Sequence, residues 1–327
     1  MRTRKLGKTN LEVSAIGYGC MGLSHGYGVV PERNDSIKLI RQAYELGCNF
    51  FDTAEGYGAG DNERIVGDAI RPIRDHVILA TKFGGSEMVD GVMVPKVYSP
   101  QEIRSHLEAS LKRLGTDHID LYYEHRVSSE NIEEVAYCMG EFIKEGKILG
   151  WGQSQVTKDQ IRRAHAVTPL TAIQSEYSMM ERMFERDVIP TCGELGISFI
   201  PFSPLASGFL SGKIKAGMTY AGDDVRRGIT RFKDENIIAN QPLVDLLQEF
   251  SVLKNVTPAQ LSLAWMLRKY DFLIPIPGTK KLERLRENLS AADVDLAEEE
   301  FTQIEAELAE IDVQGNRTDE DIANLYR

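Results

Sequence analysis

One strand–helix–strand unit, residues 77–125, gives the clearest prediction of the fold. It reads VILATK (residues 77–82), SPQEIRSHLEASLKRLG (residues 99–115) and IDLYYEH (residues 119–125). The first and last pieces are short apolar runs, which are typical of strands buried on both faces. The middle piece places apolar residues along one helical face, at Ile103, Leu107, Leu111 and Leu114. The unit therefore predicts two parallel strands covered by the helix that joins them.

Capping residues mark where the predicted helices begin and end. Ser99 is a suitable N-cap, Pro100 fits the first turn, and Glu102 completes a capping box. Gly115 can adopt the left-handed conformation that ends a helix without a steric penalty. The same kinds of signal recur at Thr257-Pro258-Ala259-Gln260 and at Gly47.

Strands and helices are predicted to alternate along the whole chain. The predicted strands are Val13–Gly19, Cys48–Thr53, Val77–Lys82, Ile119–Tyr123, Ile148–Gly152, Ala172–Ser175, Ile197–Phe202 and Phe272–Ile276. This α/β pattern predicts a closed (β/α)8 TIM barrel with its active site at the carboxyl ends of the strands, and a doubly wound open sheet is the competing topology. Because no Pro-, Gly- or Ser-rich linker divides the sequence, residues 1–327 are predicted to form one domain. Within it, residues 208–240 are predicted to form a mobile loop over one face of the barrel.

Composition and charge exclude several classes of protein. Hydrophobic residues make up 42% and charged residues 27% of the 327 residues, as in ordinary folded chains. The 38 Lys and Arg residues against 49 Asp and Glu residues give a net charge of −11, which repels nucleic acid and anionic lipid. No apolar run is long enough to span a bilayer, and the first residues lack the apolar segment of a signal peptide. We therefore expect a cytoplasmic protein without nucleic-acid or membrane partners, while the composition favours no oligomeric state.

Polar side chains follow three successive predicted strands. Asp52, Lys82 and His125 each stand where an apolar run ends. Because the carboxyl ends of barrel strands meet at one rim, we expect these side chains to converge. Tyr57 lies five residues beyond Asp52, in a glycine-flanked turn that can reach the same rim. The sequence thus predicts a cluster of titratable groups at the mouth of the barrel.

These four residue types can together protonate a carbonyl oxygen. A tyrosine hydroxyl is a weak acid at neutral pH, and a nearby ammonium such as that of Lys82 favours its ionised form. A carboxylate such as Asp52 keeps a buried lysine charged and in place. A neutral imidazole at His125 can orient the carbonyl oxygen while Tyr57 donates its proton. Each residue alone also has a structural interpretation, as a loop cap, a rim cation, a packed ring or a hydrogen-bonded histidine, but the coincidence of all four favours an acid that assists hydride transfer.

Two other patterns point to different chemistry and are less well supported. Residues 17–22, GYGCMG, match the dinucleotide fingerprint GxGxxG, but Leu23–Pro31 reads as a loop where that fingerprint needs a helix. The six histidines show neither HxH nor HExxH spacing, so no catalytic metal is expected. The cysteines are widely spaced and are expected to be reduced and buried: Cys20, Cys48, Cys138 and Cys192.

An anion site is predicted where the eighth predicted strand leads into the next helix. Residues 274–281 read IPIPGTKK and precede the predicted helix Leu282–Leu289. Free N–H groups at a helix start, a hydroxyl and two lysines together favour an anion. Barrels often bind phosphate after the last two strands, although a solvated basic helix start would read the same way.

Four motifs, in chain order, resemble those of the aldo-keto reductase superfamily. They are FFDTAEGYG (residues 50–58), ATK (residues 80–82), DLYYEHR (residues 120–126), and IPGTK (residues 276–280) with RLREN (residues 284–288). The resemblance covers essentially the whole chain. It implies a (β/α)8 barrel that reduces aldehydes or ketones with NADPH and without a metal, using a catalytic tetrad of Tyr57, Lys82, His125 and Asp52.

The resemblance also implies where NADP(H) binds. Ser154, Gln155 and Gln174 correspond to the residues that hold the nicotinamide carboxamide, although Gln155 replaces the usual Asn. Phe202 corresponds to the aromatic ring that stacks on the nicotinamide. The other implied cofactor contacts are Ser203, Leu205, Lys213, Thr279, Lys280, Arg284, Glu287 and Asn288. Among these, the hydroxyl and cationic residues at 279, 280 and 284 resemble the residues that bind the adenosine phosphate. This resemblance favours NADP over NAD.

Three functional hypotheses follow. The first is an enzyme that reduces small carbonyl substrates with NADPH. The second is a regulatory or sensor protein that binds NADP with little turnover and resembles the potassium-channel β-subunits of this superfamily. The third is a barrel hydrolase or lyase of another kind. Near His125, Ser128 replaces the usual Asp and Glu124 replaces the usual Gln. The added carboxylate of Glu124 is expected to bias substrate choice or the pKa of His125. The loops at residues 25–30, 84–97 and 219–230 are expected to line the substrate mouth.

Overall fold

Strands and helices alternate through most of the structure, a computed structural model that describes residues 1–90 and 92–317. The strands are β1 (Thr3–Lys5), β2 (Glu12–Ser14), β3 (Tyr18–Gly19), β4 (Phe50–Asp52), β5 (Ile78–Phe83), β6 (Ser86–Val89), β7 (Val92–Pro95), β8 (Ile119–Glu124), β9 (Ile148–Ser154), β10 (Ala172–Glu176) and β11 (Ser198–Phe202). The α-helices are α1 (Arg33–Glu45), α2 (Asp61–Ile70), α3 (Pro100–Leu114), α4 (Ile132–Lys144), α5 (Lys158–Val167), α6 (Val188–Leu195), α7 (Asp234–Ala239), α8 (Gln241–Lys254), α9 (Pro258–Lys269), α10 (Leu282–Ser290) and α11 (Glu298–Ala309).

Seven strands of the described chain form one parallel sheet, in the order β11-β10-β9-β8-β5-β4-β3. The hairpin β6–β7 forms a separate sheet. Apart from that hairpin, each strand of the parallel sheet lies beside the strand that precedes it in the sequence. In this register Asp52 lies opposite Ala80, and Lys82 lies opposite Tyr123. The carboxyl ends of the strands therefore share one rim. The prediction of a (β/α)8 barrel is confirmed, and the open-sheet alternative is wrong.

The eighth barrel position is filled by an extended segment, residues 272–276, and not by a regular strand. On one side, the N–H groups of Ile274 and Ile276 donate to carbonyl oxygens of β11 at 2.9 and 3.0 Å. On the other side, the N–H of Gly17 donates to the carbonyl oxygen of Pro275 at 2.9 Å. The prediction of a strand at Phe272–Ile276 is thus wrong in detail, because Pro275 has no N–H and interrupts the ladder.

Two glycines allow close backbone contact where the barrel closes. A Cβ on Gly19 would lie 2.7 Å from the carbonyl oxygen of Ile276, and one on Gly278 would lie 2.8 Å from the carbonyl oxygen of Gly19. Since the clashes are with backbone atoms, neither position has room for a side chain. The closure therefore joins residues from opposite ends of the sequence through backbone contact.

The predicted strand Val13–Gly19 is divided between two elements. Its first residues lie in β2, which pairs antiparallel with β1, and only Tyr18–Gly19 forms the barrel strand β3. The chain bends between them, where the hydroxyl of Ser14 donates to the carbonyl oxygen of Ile16 at 2.8 Å. Val13 packs with the apolar side chains inside the barrel. The prediction of one continuous strand is wrong because its apolar residues serve both the hairpin and the barrel.

Apolar side chains form two layers, one inside the barrel and one between the strands and the helices. The inner layer includes Phe50, Ala80, Leu121, Tyr123, Ala172, Ile200 and Ile274. Because side chains alternate along a strand, residues two positions further toward the carboxyl end also point inward. On β4, β5 and β10 those inward residues are Asp52, Lys82 and Gln174, so polar groups replace the apolar core at the rim.

The predicted capping signals are confirmed. Ser99 and Thr257 each begin a helix with a capping box. Gly47 and Gly115 have φ values of 92° and 67°, in the left-handed region that ends a helix. The four cysteines are free and buried, as predicted. Across residues 1–90 and 92–317, no helix has both the length and the hydropathy that crossing a membrane requires.

Residues 208–240, the predicted mobile loop, contain secondary structure of their own. They include α7 and short 3-10 turns at Val225–Arg227 and Thr230–Phe232. They also bond to the loop after β3, where the N–H of Val225 donates to the carbonyl oxygen of Gly26 at 3.0 Å. In the same loop, the N–H of Gly26 donates to the carboxylate of Asp223 at 2.7 Å. The segment therefore connects with the loop that follows the first barrel strand.

The tight packing inside the barrel gives a testable prediction at Gly152 on β9. A Cβ there would lie 2.3 Å from the carbonyl oxygen of Ala172 and 2.7 Å from the ring of Tyr123. We expect Gly152→Ala to lower the free energy of unfolding by about 1–3 kcal/mol, because overpacking forces the backbone to shift. Urea unfolding monitored by circular dichroism measures the change. The control is Gly85→Ala, where nothing lies within 4 Å; equal losses in the two variants would contradict the explanation.

Candidate functional site

A buried lysine connects residues of the predicted tetrad. Lys82 projects from β5 into the top of the barrel and is completely buried. Its Nζ donates to Oδ1 of Asp52 at 2.5 Å, to the carbonyl oxygen of Thr53 at 2.7 Å and to the hydroxyl of Tyr57 at 3.3 Å. These three acceptors match the three N–H groups of an ammonium. The structure therefore gathers three of the four predicted residues around one nitrogen.

The surroundings of Lys82 keep its side chain charged. Burial alone would lower the pKa of Lys82, but the carboxylate of Asp52 and the hydroxyl of Tyr57 outweigh burial and raise that pKa above its ordinary value. The second oxygen of Asp52 accepts a hydrogen bond from Nε2 of Gln174 at 2.7 Å. Both carboxylate oxygens are thus occupied, and the ammonium has a fixed partner on the neighbouring strand.

Tyr57 lies in a tight turn between β4 and α2. Its N–H donates to the carbonyl oxygen of Ala54 at 3.1 Å. The next three residues, Gly58, Ala59 and Gly60, have positive φ values of 57°, 52° and 84°. A left-handed conformation is costly for a residue with a Cβ such as Ala59, so the turn depends on the contacts around it. The turn places the ring of Tyr57 over the barrel mouth, with its centroid 4.9 Å from Nζ of the lysine.

His125 completes the cluster from the end of β8. Its ring meets the ring of Tyr57 edge-on, with centroids 5.8 Å apart and an interplanar angle of 85°. Burial, and then the charges of Lys82, Arg126 and Arg317, lower the pKa of the imidazole well below its ordinary value. The imidazole of His125 is therefore neutral at neutral pH, with one ring nitrogen able to donate a hydrogen bond and the other able to accept one.

The residues predicted to hold a carboxamide lie at the ends of the adjacent strands β9 and β10. Ser154 is opposite Gln174 in the parallel register, and both are buried. Gln155 follows Ser154 with a φ of 56°, and its Oε1 accepts a hydrogen bond from the N–H of Glu176 at 3.1 Å. A left-handed φ is easier for Asn than for Gln. The left-handed conformation of Gln155 therefore adds local strain at the end of β9.

The predicted stacking ring, Phe202, ends β11 and is half-buried. The guanidinium of Arg317 lies 4.7 Å from its ring centroid. Ser203 and Leu205 follow in the next turn, where Ser203 has a φ of 47°. Lys213, further along the chain, is exposed. The ring thus lies at the same rim as the buried polar residues, whereas Lys213 is on the surface.

The residues predicted to bind phosphate gather just before and within α10. The hydroxyl of Tyr18 donates to the carbonyl oxygen of Thr279 at 2.6 Å. Nζ of Lys280 donates to the carbonyl oxygens of Tyr27 and Val29 at 2.8 and 2.7 Å, so this lysine holds the loop after β3 against the start of α10. The remaining predicted contacts lie on α10, where Arg284 is exposed, Glu287 is half-buried and Asn288 is buried.

Sequence reasoning missed a group of ion pairs at the same rim. Arg231 is buried and pairs with Glu176 at 3.2 Å and with Glu181. Arg317 lies 3.8 Å from the second oxygen of Glu176. No motif marks the two arginines, which lie far along the chain from their carboxylate partners. Glu176 could have been found, because it is the inward residue two positions beyond Gln174 on a predicted strand.

Comparisons with known proteins agree with this geometry. The model of the "Aldo/keto reductase family" matches residues 15–309. A protein of Glycine max named "Probable aldo-keto reductase 1" is 40% identical over 316 residues, which cover 96% of this chain and 90% of the relative. The solved glycerol dehydrogenase of Gluconobacter oxydans is 25% identical with a TM-score of 0.85, over 95% of this chain and 96% of that chain. An aldo/keto reductase of Klebsiella pneumoniae, solved with NADP and acetate, is 26% identical with a TM-score of 0.72, over 97% and 98% of the two chains.

The fold and these matches together define an oxidoreductase built on a parallel barrel. The chain belongs to the aldo/keto reductase family, because the family model covers most of its length. The resemblance inferred from the four sequence motifs is thereby confirmed. A barrel hydrolase or lyase, the third functional hypothesis, is not the class to which this chain belongs.

Glu124 is a buried acid directly before His125. It lies on the outward face of β8, is 2% exposed, and accepts a hydrogen bond from Nε2 of Gln153 at 3.0 Å. Burial raises the pKa of Glu124 to about 8, and the bond from Gln153 offsets only part of that rise. Glu124 is therefore largely protonated at neutral pH.

The raised pKa of Glu124 predicts how stability depends on pH. Between pH 4.5 and about 8 the folded protein retains a proton that the unfolded chain has released, so stability falls as pH rises through this window. The slope contributed by one such group is at most about 1.4 kcal/mol per pH unit. We expect Glu124→Gln to flatten this dependence and to stabilise the protein more at pH 8 than at pH 5. Urea unfolding at both pH values tests this; an equal difference between the two proteins at both pH values would contradict it.

Proposed function

We propose that the protein reduces aldehydes or ketones to alcohols with NADPH, using Tyr57 as the general acid. The observation that carries this proposal is the hydrogen bond of 3.3 Å between Nζ of Lys82 and the hydroxyl of Tyr57, beside the ring of His125. An ammonium next to a hydroxyl favours release of the proton, which a carbonyl oxygen needs as it becomes negative.

Each member of the tetrad has a separate task in this proposal. The hydroxyl of Tyr57 donates its proton to the carbonyl oxygen of the substrate. Lys82 stabilises the phenolate that remains, and Asp52 keeps the lysine charged and in place. The neutral ring of His125 donates a hydrogen bond to the same carbonyl oxygen and so orients it toward the hydroxyl.

NADPH, when bound, supplies the hydride that reduces the carbonyl carbon. Ser154 and Gln174 offer a hydroxyl and an amide of the kind that binds a carboxamide, and Phe202 offers a ring face for stacking. Because Gln174 also donates to Asp52 at 2.7 Å, the carboxamide site is coupled to the tetrad. These residue types fit the nicotinamide end of the cofactor.

The phosphate end fits the start of α10. The helix N-terminus, the hydroxyl of Thr279 and the cations of Lys280 and Arg284 offer the charges and donors that a 2′-phosphate requires. Lys280 would exchange its two carbonyl acceptors in the loop after β3 for phosphate oxygens. This set of cations favours NADPH over NADH.

A small carbonyl compound is the proposed substrate. The loop at residues 25–30 borders the mouth, because the ring of His25 lies 6.0 Å from the ring of Tyr57. The segment after β5 borders it too, since a Cβ on Gly84 would lie 4.0 Å from the backbone nitrogen of His125. The solved relative from Gluconobacter oxydans is named a glycerol dehydrogenase, which is consistent with small alcohols and their carbonyl counterparts in this family.

The first test of this proposal removes the hydroxyl of Tyr57. We expect Tyr57→Phe to lower kcat for aldehyde reduction by about 10²–10⁴-fold, because general acid catalysis is lost while the ring still packs. Steady-state oxidation of NADPH against a panel of small aldehydes and ketones measures the effect.

Two controls make the Tyr57 test decisive. Tyr137→Phe removes a hydroxyl from a tyrosine on α4 that is 61% exposed, and it is expected to leave kcat unchanged. NADPH binding, followed by fluorescence quenching, is expected to be the same in Tyr57→Phe and the parent. Equal turnover in Tyr57→Phe and the parent would refute the general-acid role. Tight NADPH binding by the parent without turnover of any substrate would select the sensor hypothesis.

The second test concerns the choice of cofactor. We expect Arg284→Gln to weaken NADPH binding by about tenfold while leaving NADH binding unchanged, because one charge-assisted hydrogen bond to the 2′-phosphate is lost. Fluorescence titration with both cofactors measures the ratio. Arg286→Gln is the matched control, since residues two positions apart do not share a helix face. A parallel loss for NADH and NADPH would argue against a contact with the 2′-phosphate.

A further inference from the structure

We propose that Glu55 is a positioning residue whose carboxylate holds the turn carrying Tyr57 over Lys82 and His125. Glu55 stands two residues before Tyr57 in the loop that leaves β4. The inference rests on the proposed function, because it concerns the placement of the same general acid. It assigns a task to a residue outside the tetrad.

The carboxylate of Glu55 bonds to two different parts of the barrel wall. Its Oε1 accepts a hydrogen bond from the N–H of Gly84, just after β5, at 2.9 Å. Its Oε2 lies 2.9 Å from Nδ1 of His106 and 3.5 Å from the guanidinium of Arg113, both on α3. The side chain is only 15% exposed, so these bonds are well shielded from water. Glu55 therefore ties the loop to β5 and to α3 at once.

The same residue connects the elements that carry the other members of the tetrad. The backbone N–H of Glu55 donates to the carbonyl oxygen of Lys82 at 3.1 Å. Phe83, the next residue on β5, accepts a hydrogen bond from the backbone N–H of His125 at 2.8 Å. The backbone of Glu55 thus fixes the start of the Tyr57 turn against the strand end that carries Lys82, and the same strand bonds to the backbone of His125.

Helix α3 also holds the far end of the turn. The side chain of Arg113 lies against Gly60, where a Cβ would be 2.7 Å from Cδ of the arginine. Arg113 also pairs with Glu63, a buried residue of α2 that accepts a hydrogen bond from Thr81 of β5 at 2.7 Å. His106 and Arg113 are seven residues apart and so share one face of α3. One helix face thus supports both sides of a turn that contains three consecutive left-handed residues.

The geometry of the general acid leaves little room for movement. The distance of 3.3 Å between Nζ of Lys82 and the hydroxyl of Tyr57 is already slightly longer than an ordinary hydrogen bond. A strained turn keeps its conformation only while its surroundings impose it. Loss of the carboxylate of Glu55 is therefore expected to let the hydroxyl of Tyr57 move away from Lys82 and His125.

The experiment compares Glu55→Ala with Glu55→Gln. We expect Glu55→Ala to lower kcat for a good aldehyde substrate by about 10–100-fold, since misplacement of a reacting group by 1 Å can cost 10²-fold. KM and NADPH affinity are expected to change by less than about threefold, because binding groups are untouched. Glu55→Gln keeps an oxygen that can accept from Gly84, and it is expected to restore most of the activity.

A double substitution shows whether Glu55 acts through Tyr57. In the Tyr57→Phe background, Glu55→Ala is expected to cause no further loss of kcat, because residues that act as a unit are not additive. A further loss equal to that of Glu55→Ala alone would overturn the proposal, as would a kcat of Glu55→Ala equal to that of the parent. If Tyr57→Phe itself is as active as the parent, the proposed function fails and not the positioning role alone.

Two further variants separate positioning from stability. Glu185→Ala removes a carboxylate of similar exposure, 19%, that bonds to Tyr177 and Lys269 on the outer side of the barrel, and it is expected to lower Tm without changing kcat.

Should Glu55→Ala fail to fold, His106→Phe removes the Nδ1 contact while keeping an aromatic ring beside Tyr98 and Phe83. We expect His106→Phe to lower kcat by about threefold to tenfold, and a parental kcat in the folded variant would overturn the proposal.

Discussion

The site depends on one ammonium that is removed from water. Lys82 is completely buried, and a buried cation without partners would lose its proton. It keeps its charge because Asp52, the carbonyl oxygen of Thr53 and the hydroxyl of Tyr57 accept its three hydrogen bonds. The barrel makes this arrangement possible, since it brings the ends of β4 and β5 side by side with inward-facing polar residues above an apolar interior. Removing any of these acceptors would leave an N–H group of the buried ammonium without a partner.

The proposed general acid, Tyr57, comes from a loop, whereas its partners come from strands. Strands hold Asp52, Lys82 and Gln174 by ladder hydrogen bonds and core packing, so their positions follow from the fold. The turn of Tyr57 has no such ladder, and it includes a left-handed alanine. The bonds of Glu55 and the side chain of Arg113 supply the missing restraint from the neighbouring helix. A rigid scaffold with one loop-borne reactive group is a common arrangement in barrels, where loops at one rim carry the chemistry.

Much of this could be predicted from sequence because it depends on local patterns. Apolar runs, capping boxes and strand-end polar residues are short-range features, so the barrel, the helix starts at Ser99 and Thr257, and the convergence of Asp52, Lys82 and His125 were all accessible. The predicted strand at residues 272–276 was only partly right, because a proline can sit in an extended segment while breaking its hydrogen-bond ladder. The arginines at positions 231 and 317 could not have been found, since their pairing with Glu176 depends on how distant segments fold over the rim.

The closure of the barrel between Gly19 and Gly278 has a consequence for engineering. Each glycine lies against a carbonyl oxygen contributed by the opposite end of the chain, so the two segments form one shape-matched surface. In a chimera assembled from this barrel and that of a homologue, residues 17–20 and 272–280 would need to come from the same parent. A single crossover anywhere between the two segments would take them from different parents, whereas two crossovers between them keep both segments from one parent and leave their backbone contact unchanged.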